Sequence, residues 1–131
     1  MRVGSILFLL MIHFSSSVMA DINFSVSPGV SLIAVNGIEV ESSSFFHNNN
    51  TLTLPNGINQ ILVQYSVEIK KSGSLDVETT DPHVLVFNEK YKDISLLVPD
   101  IKRLSEFRKF NESKSWTLKD STGRSIEYLS K

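Results

Sequence analysis

The most regular pattern in the chain runs from Ile61 to Ile69, where Ile61, Val63, Tyr65, Val67 and Ile69 alternate with Leu62, Gln64, Ser66 and Glu68. A side-chain period of two puts the first set on one face of a strand and buries that face against a core. Just upstream, Thr51-Leu52-Thr53-Leu54 alternates in the same way. Pro55-Asn56-Gly57, between the two runs, joins a fixed φ to residues that tolerate positive φ. The two runs are expected to pair as a β-hairpin. Val30 to Val35 is nearly continuously apolar, Asn36-Gly37 is a strong two-residue turn signal, and Ile38-Glu39-Val40 returns. A second hairpin is predicted there.

Further along, His83 to Phe87 and Ile94 to Val98 are short runs rich in β-formers, separated by the polar stretch Asn88 to Asp93. Their near-continuous hydrophobicity predicts strands packed on both faces. Pro99 ends the sheet pattern and Asp100 is placed to cap a helix. Ile101, Leu104 and Phe107 or Phe110 recur at helical spacing, which predicts one short amphipathic helix over residues 101 to 112. The chain closes with Ser115 to Leu118, the turn Asp120-Ser121-Thr122-Gly123, and Ser125 to Leu129, read as a third hairpin. The polar tract Ser42 to Asn50 is a loop that Phe45 and Phe46 pin to the core.

Seven or eight short strands with no βαβ alternation define a mainly β fold: an antiparallel β-sandwich or partly open barrel with one short helix. The faint likeness between Val35-Asn36-Gly37 and Leu54-Pro55-Asn56-Gly57 is read as coincidence, and no repeat of fixed period is found.

The N-terminus follows a different rule. Arg2 supplies a positive charge, and Val3 to Phe14 supply about a dozen mostly apolar residues, as in the n- and h-regions of a signal peptide. Ser15, Ser16 and Ser17 interrupt that run well short of the roughly 20 apolar residues that span a bilayer. Val18-Met19-Ala20 leaves small side chains where a signal peptidase reads, so cleavage is expected after Ala20. Residues 1–20 are thus read as a signal peptide and residues 21–131 as one exported β-rich domain, with the bacterial periplasm as its destination. There is no twin arginine, so export of the folded state is not expected.

Composition narrows the chemistry. The chain has no cysteine, which excludes disulfide staples, a lipid-modified N-terminal cysteine and thiolate chemistry. Its formal charge of −1 provides no long-range field to draw nucleic acid or an anionic membrane. With 41% hydrophobic and 21% charged residues, the composition is that of a folded globular protein.

Candidate catalytic groups are few. His47 and His83 are the histidines beyond residue 20, too few for a three-histidine metal site, and neither has a second ligand at a diagnostic spacing. Asp81-Pro82-His83 is either an oriented base or a turn leading into a strand, and the turn is the reading taken here. No G-x-S-x-G elbow, P-loop or G-x-G-x-x-G is present. Asp76 and Glu78, or Asp81, could form a carboxylate pair for glycoside chemistry, although residues two apart on a strand more often make a solvated face. Lys102, Arg103, Arg108, Lys109 and Lys114 surround Phe107, Phe110 and Trp116, as in a surface for an acidic partner or in a helix with a solvated basic side. The N-x-S/T matches at Asn23, Asn49 and Asn111 carry no consequence in a bacterial source.

The signal segment, Val30 to Val35 with Asn36-Gly37, Leu52 to Ile61, Val84 to Phe87 and Ile94 to Pro99 together resemble the YccT-like family of bacterial exported proteins. The resemblance runs in order through most of residues 21–131. Members of that family usually carry a further C-terminal segment, whereas this chain stops at Lys131. It implies a periplasmic protein without known catalysis, of the kind associated with restraint of extracellular amyloid (curli) fibre assembly. It assigns no binding residue.

The expectation is a non-catalytic periplasmic interaction module whose partners are exported β-rich or amyloid-forming subunits, with no nucleic acid and no membrane anchor. No catalytic, cofactor-binding or metal-binding residue is assigned. The alternatives are a small exported hydrolase of wall glycan or ester and a carrier of a small apolar ligand.

Overall fold

A computed structural model describes residues 21–40 and 51–131. The expected signal peptide, the loop bearing Phe45 and Phe46, and His47 lie outside the described residues. The chain forms strands β1 (Ile22–Val26), β2 (Val30–Val35), β3 (Ile38–Glu39), β4 (Thr51–Leu54), β5 (Gly57–Lys71), β6 (Ser74–Thr79), β7 (His83–Glu89) and β8 (Asp93–Leu97). Helix α1 (Leu104–Ser113) follows, then β9 (Thr117–Asp120), β10 (Ser125–Ile126) and β11 (Leu129–Ser130).

Two sheets hold these strands. One has the order β10-β9-β8-β1-β4; the other has the order β11-β7-β5-β2-β3, with β6 added along β5. Among the described residues the fold is mainly β, with one short helix and no closed barrel. All pairings are antiparallel except that of β1 with β8, which is parallel.

The sheets pack face to face because alternate residues of each strand are apolar. Ile22 and Phe24 of β1, Leu54 of β4, Ile94 and Leu96 of β8 and Leu118 of β9 are buried on one side. Val30 and Leu32 of β2, Ile61 and Val63 of β5, and Leu85 and Phe87 of β7 meet them from the other. The rings of Phe24 and Phe87 stack across the interface with centroids 5.9 Å apart and planes at 13°. Each such side chain contributes about 1.5–3 kcal/mol on burial, so the cysteine-free core needs no covalent support. The outer face of the parallel β1–β8 pair is polar instead. There Asn23 Nδ2 donates to Asp93 Oδ1 at 3.0 Å, and the Ser25 and Ser95 hydroxyls share a bond of 3.0 Å.

The hairpin predicted at Asn36-Gly37 is present. Asn36 and Gly37 have φ of 51° and 82°, and Val35 pairs with Ile38. Its Asn36 also ties the turn to β5. The Asn36 amide donates to Oδ1 of the fully buried Asn59 at 3.0 Å, and Asn36 Oδ1 accepts from Gln60 N at 2.8 Å. The alternation from Ile61 to Ile69 lies within β5, whose Ile61, Val63, Tyr65 and Ile69 are buried.

Five expectations about the elements are corrected. The runs Thr51–Leu54 and Ile61–Ile69 do not pair: β4 lies against β1 and β5 against β7, β2 and β6, so the chain crosses between sheets at Pro55-Asn56. The Asn59 amide donates to Pro55 O at 2.8 Å and holds that crossing in place of a turn bond. The closing unit is a hairpin only as far as Ile126, which pairs with Leu118; Leu129 then pairs with Val86 in the other sheet. Tyr128 anchors the change of sheet, its hydroxyl donating to Trp116 O at 2.7 Å. Strands β7 and β8 are buried on one face with the other face half-exposed, so their apolar runs fill a sandwich rather than a two-sided layer. Helix α1 begins after Arg103, not Asp100. Glu106 Oε1 accepts from Lys102 N at 3.2 Å and Arg103 N at 3.0 Å, so the carboxylate of the first turn does the capping. The strands also number eleven among the described residues, since β1 and β6 escaped the pattern and the run from Ser125 to Leu129 divides between β10 and β11.

Candidate functional site

His83 opens β7 and is fully buried. Trp116 Nε1 donates to His83 Nδ1 at 2.9 Å, so Nδ1 is the bare nitrogen and Nε2 carries the proton. That Nε2–H faces Asn111 Oδ1 at 3.2 Å. The same Asn111 oxygen accepts from Asp81 N at 2.9 Å, and the Asn111 amide donates to Asp81 Oδ2 at 3.2 Å. Trp116 packs edge-on and Phe110 at a tilt against the imidazole at this junction of α1 with the sheet. Burial pushes the His83 pKa below its ordinary value and keeps the ring neutral. With both ring nitrogens bonded, His83 ties α1 and Trp116 to β7. The turn expected at Asp81-Pro82-His83 is not formed: β6 and β7 both run antiparallel to β5, along Ser66–Lys71 and Gly57–Val63, so residues 80–82 carry the chain onward along β5 from one strand to the next.

Two of the carboxylates considered for glycoside chemistry have other engagements, although Asp76 and Glu78 share one face of β6. Glu78 is ion-paired with Lys71, while Asp81 is engaged with Asn111. Among the described residues no three His, Asp or Glu side chains gather as a metal site. Phe107, Phe110 and Trp116 are buried under α1, whereas Lys102, Arg103, Arg108 and Lys109 face solvent. The amides of Asn23 and Asn111 are spent on Asp93 and Asp81.

An open groove of about 670 Å³ lies at the β11 side of the second sheet, where Ile58, Val86 and Leu129 stand beside Glu89 and Glu127.

The feature the sequence reading passed over is β6. Residues 66–71 of β5 continue beyond the body of the sheet and pair with β6 from Ser66↔Thr79 to Lys71↔Ser74. Ser72 and Gly73, at φ of 48° and 85°, close this ribbon in a tight turn. Val67 and Ile69 face inward, and Ile69 is 1% exposed. The opposite face carries Leu75 and Val77, which are 64% and 65% exposed.

The free edge follows from the ladder. Lys71 and Ser74 flank a two-residue turn and form a hydrogen-bonded pair, and Thr80 N donates to Tyr65 O at 2.9 Å at the far end. Hydrogen-bonded and non-bonded pairs alternate along an antiparallel ladder. The backbone N–H and C=O groups of Leu75 and Val77 therefore point away from β5. Among the described residues β6 pairs with β5 alone. A six-residue edge with outward backbone groups and two exposed aliphatic side chains is a template for a further strand. The Ser72-Gly73 turn signal was available in the sequence. The polar residues around it concealed the strand, because neither face of β6 is buried.

These features define a small two-sheet β protein with one projecting ribbon and no helix, among the described residues, long and apolar enough to cross a membrane. Residues 23–131 match the DUF2057 family, described as an uncharacterized protein conserved in bacteria, and the chain belongs to it. A UPF0319 protein of Aliivibrio fischeri strain MJ11 is 33% identical over 115 residues, covering 87% of this chain and 55% of the relative. A UPF0319 protein of Vibrio parahaemolyticus is 29% identical over 119 residues, covering 89% and 53%. The chain thus spans about half the length of the curated relatives it matches. No solved structure matches it.

Proposed function

We propose that this chain is a non-catalytic interaction module of the bacterial periplasm that holds extended segments of exported β-rich proteins on the free edge of β6, restraining their assembly into amyloid fibres. The observation that carries this reading is the outward backbone of Leu75 and Val77 on a strand that, among the described residues, pairs with β5 alone. Adding a strand there satisfies the exposed N–H and C=O groups and covers aliphatic surface, and the same contacts are withheld from a growing fibre. The signal-like segment before Asp21 and the resemblance to the YccT-like family support the compartment and the type of partner.

The test is fibre growth by a purified amyloid-forming exported subunit, followed by thioflavin fluorescence with and without the mature chain. A longer lag below equimolar ratio is expected, and Val77→Pro should shorten it toward that of the subunit alone. Proline at Val77 removes an outward N–H and leaves the ladder to β5 intact. An unchanged lag at equimolar ratio would overturn the proposal.

A further inference from the structure

The two rows of side chains that flank the free edge of β6 are chemically different, and this difference specifies a partner. A strand laid against β6 places alternate side chains beside alternate residues of β6 on each face. One face carries Leu75 and Val77, both exposed. The other carries Asp76 and Glu78; Glu78 is neutralised by Lys71, whereas Asp76 is exposed and stands opposite the apolar Ile69.

From this we infer that the edge of β6 selects an extended segment in which aliphatic residues alternate with Lys or Arg. The inference rests on the proposed strand capture and names the chemistry of what is captured. The aliphatic row lies on Leu75 and Val77. The basic row approaches Asp76, and it finds Glu78 already paired and therefore less attractive. A segment alternating aliphatic residues with Asp or Glu would set like charges opposite Asp76 and Glu78, which disfavours pairing. A second copy of β6 is a poor partner for the same reason, so the edge discriminates against self-association while remaining open to a basic strand. Because these groups are solvent-exposed, the preference weakens as salt rises.

The experiment uses three labelled octapeptides, alternating Val with Lys, Val with Ser or Val with Glu, titrated with the full mature chain and read by fluorescence anisotropy at low salt. The Val/Lys peptide should bind about tenfold more tightly than the Val/Glu peptide, with Val/Ser between. Asp76→Lys should reverse the order. Amide hydrogen exchange of Leu75 and Val77 should slow on binding, which locates the site even where a proline variant unfolds. Equal binding of all three peptides, or tighter binding of Val/Glu, overturns the charge preference and leaves strand capture standing. Binding by none of them overturns strand capture itself, and with it the preference.

Discussion

The indole of Trp116 donates its N–H to Nδ1 of His83 at 2.9 Å, joining the segment after the helix to the first residue of β7 through two buried side chains. An indole N–H can only donate, so the bond requires an unprotonated nitrogen on His83 and fixes the tautomer.

Loss of this acceptor should be costly. His83→Leu leaves the Trp116 N–H without its acceptor inside the protein, while the Asn111 carbonyl keeps the Asp81 N–H. The expected loss is about 1–3 kcal/mol for an orphaned buried group, read by urea denaturation. An unchanged unfolding midpoint would show that the bond is dispensable.

The same site predicts a pH dependence. The folded-state pKa of His83 lies below its ordinary value, so folding favours the neutral ring. Its stabilising contribution is complete above about pH 6.5, the unfolded value, and is lost as pH falls from there through the folded value. Unfolding midpoints measured between pH 8 and pH 5 should therefore decline on the acid side. In His83→Gln, which does not titrate, that part of the slope should disappear.

The cap of α1 separates two carboxylates that look alike in sequence. Glu106 accepts two backbone N–H groups, and those bonds hold its carboxyl below the usual carboxylate range. Its contribution is present above the ordinary carboxylate pKa and fades as pH falls through the lowered one. Glu106→Ala should reduce the melting temperature at neutral pH, whereas Asp100→Ala, which removes an exposed ion pair with Lys102, should leave it unchanged. Differential scanning calorimetry distinguishes the two.

Gly29 turns the chain from one sheet to the other at φ +87°, and a Cβ there would stand 2.7 Å from Ser66 O. Gly29→Ala is expected to cost more than the roughly 1 kcal/mol of an ordinary glycine replacement. Gly37→Ala, at φ +82° with open space around it, should cost less. A larger loss at Gly37 in matched unfolding curves would contradict this ranking.

The core offers a larger effect. Phe24 and Phe87 are nearly fully buried and stack on each other between the sheets. Phe24→Ala should lose about 3–5 kcal/mol, and the double variant should lose less than the sum of the single ones, as thermal unfolding of the cycle would show.

Much of the local structure was legible in the chain. Asn36-Gly37 specifies its own hairpin because two consecutive positive φ angles are a local property. The period-two run in β5 announces a one-sided strand for a similarly local reason. The candidate site was legible only in fragments. His83 could be seen, but its two hydrogen bonds come from residues 28 and 33 positions away. The value of β6 as an edge depends on its having, among the described residues, β5 as its one neighbour, which no residue within β6 records.

By itself the sequence determined the β-rich class, the short helix, the cysteine-free core and the alternation that separates inward from outward faces, since these rest on side-chain chemistry and short-range backbone preference. The tertiary structure alone decided that Leu54 and Ile61 belong to different sheets, that Leu129 leaves its hairpin to join β7, and that Leu75 and Val77 remain uncovered. Strand pairing is a contest among distant backbone groups that are chemically identical. It is settled by which arrangement buries the most apolar surface at once, and only the tertiary fold reveals which edge that arrangement leaves over.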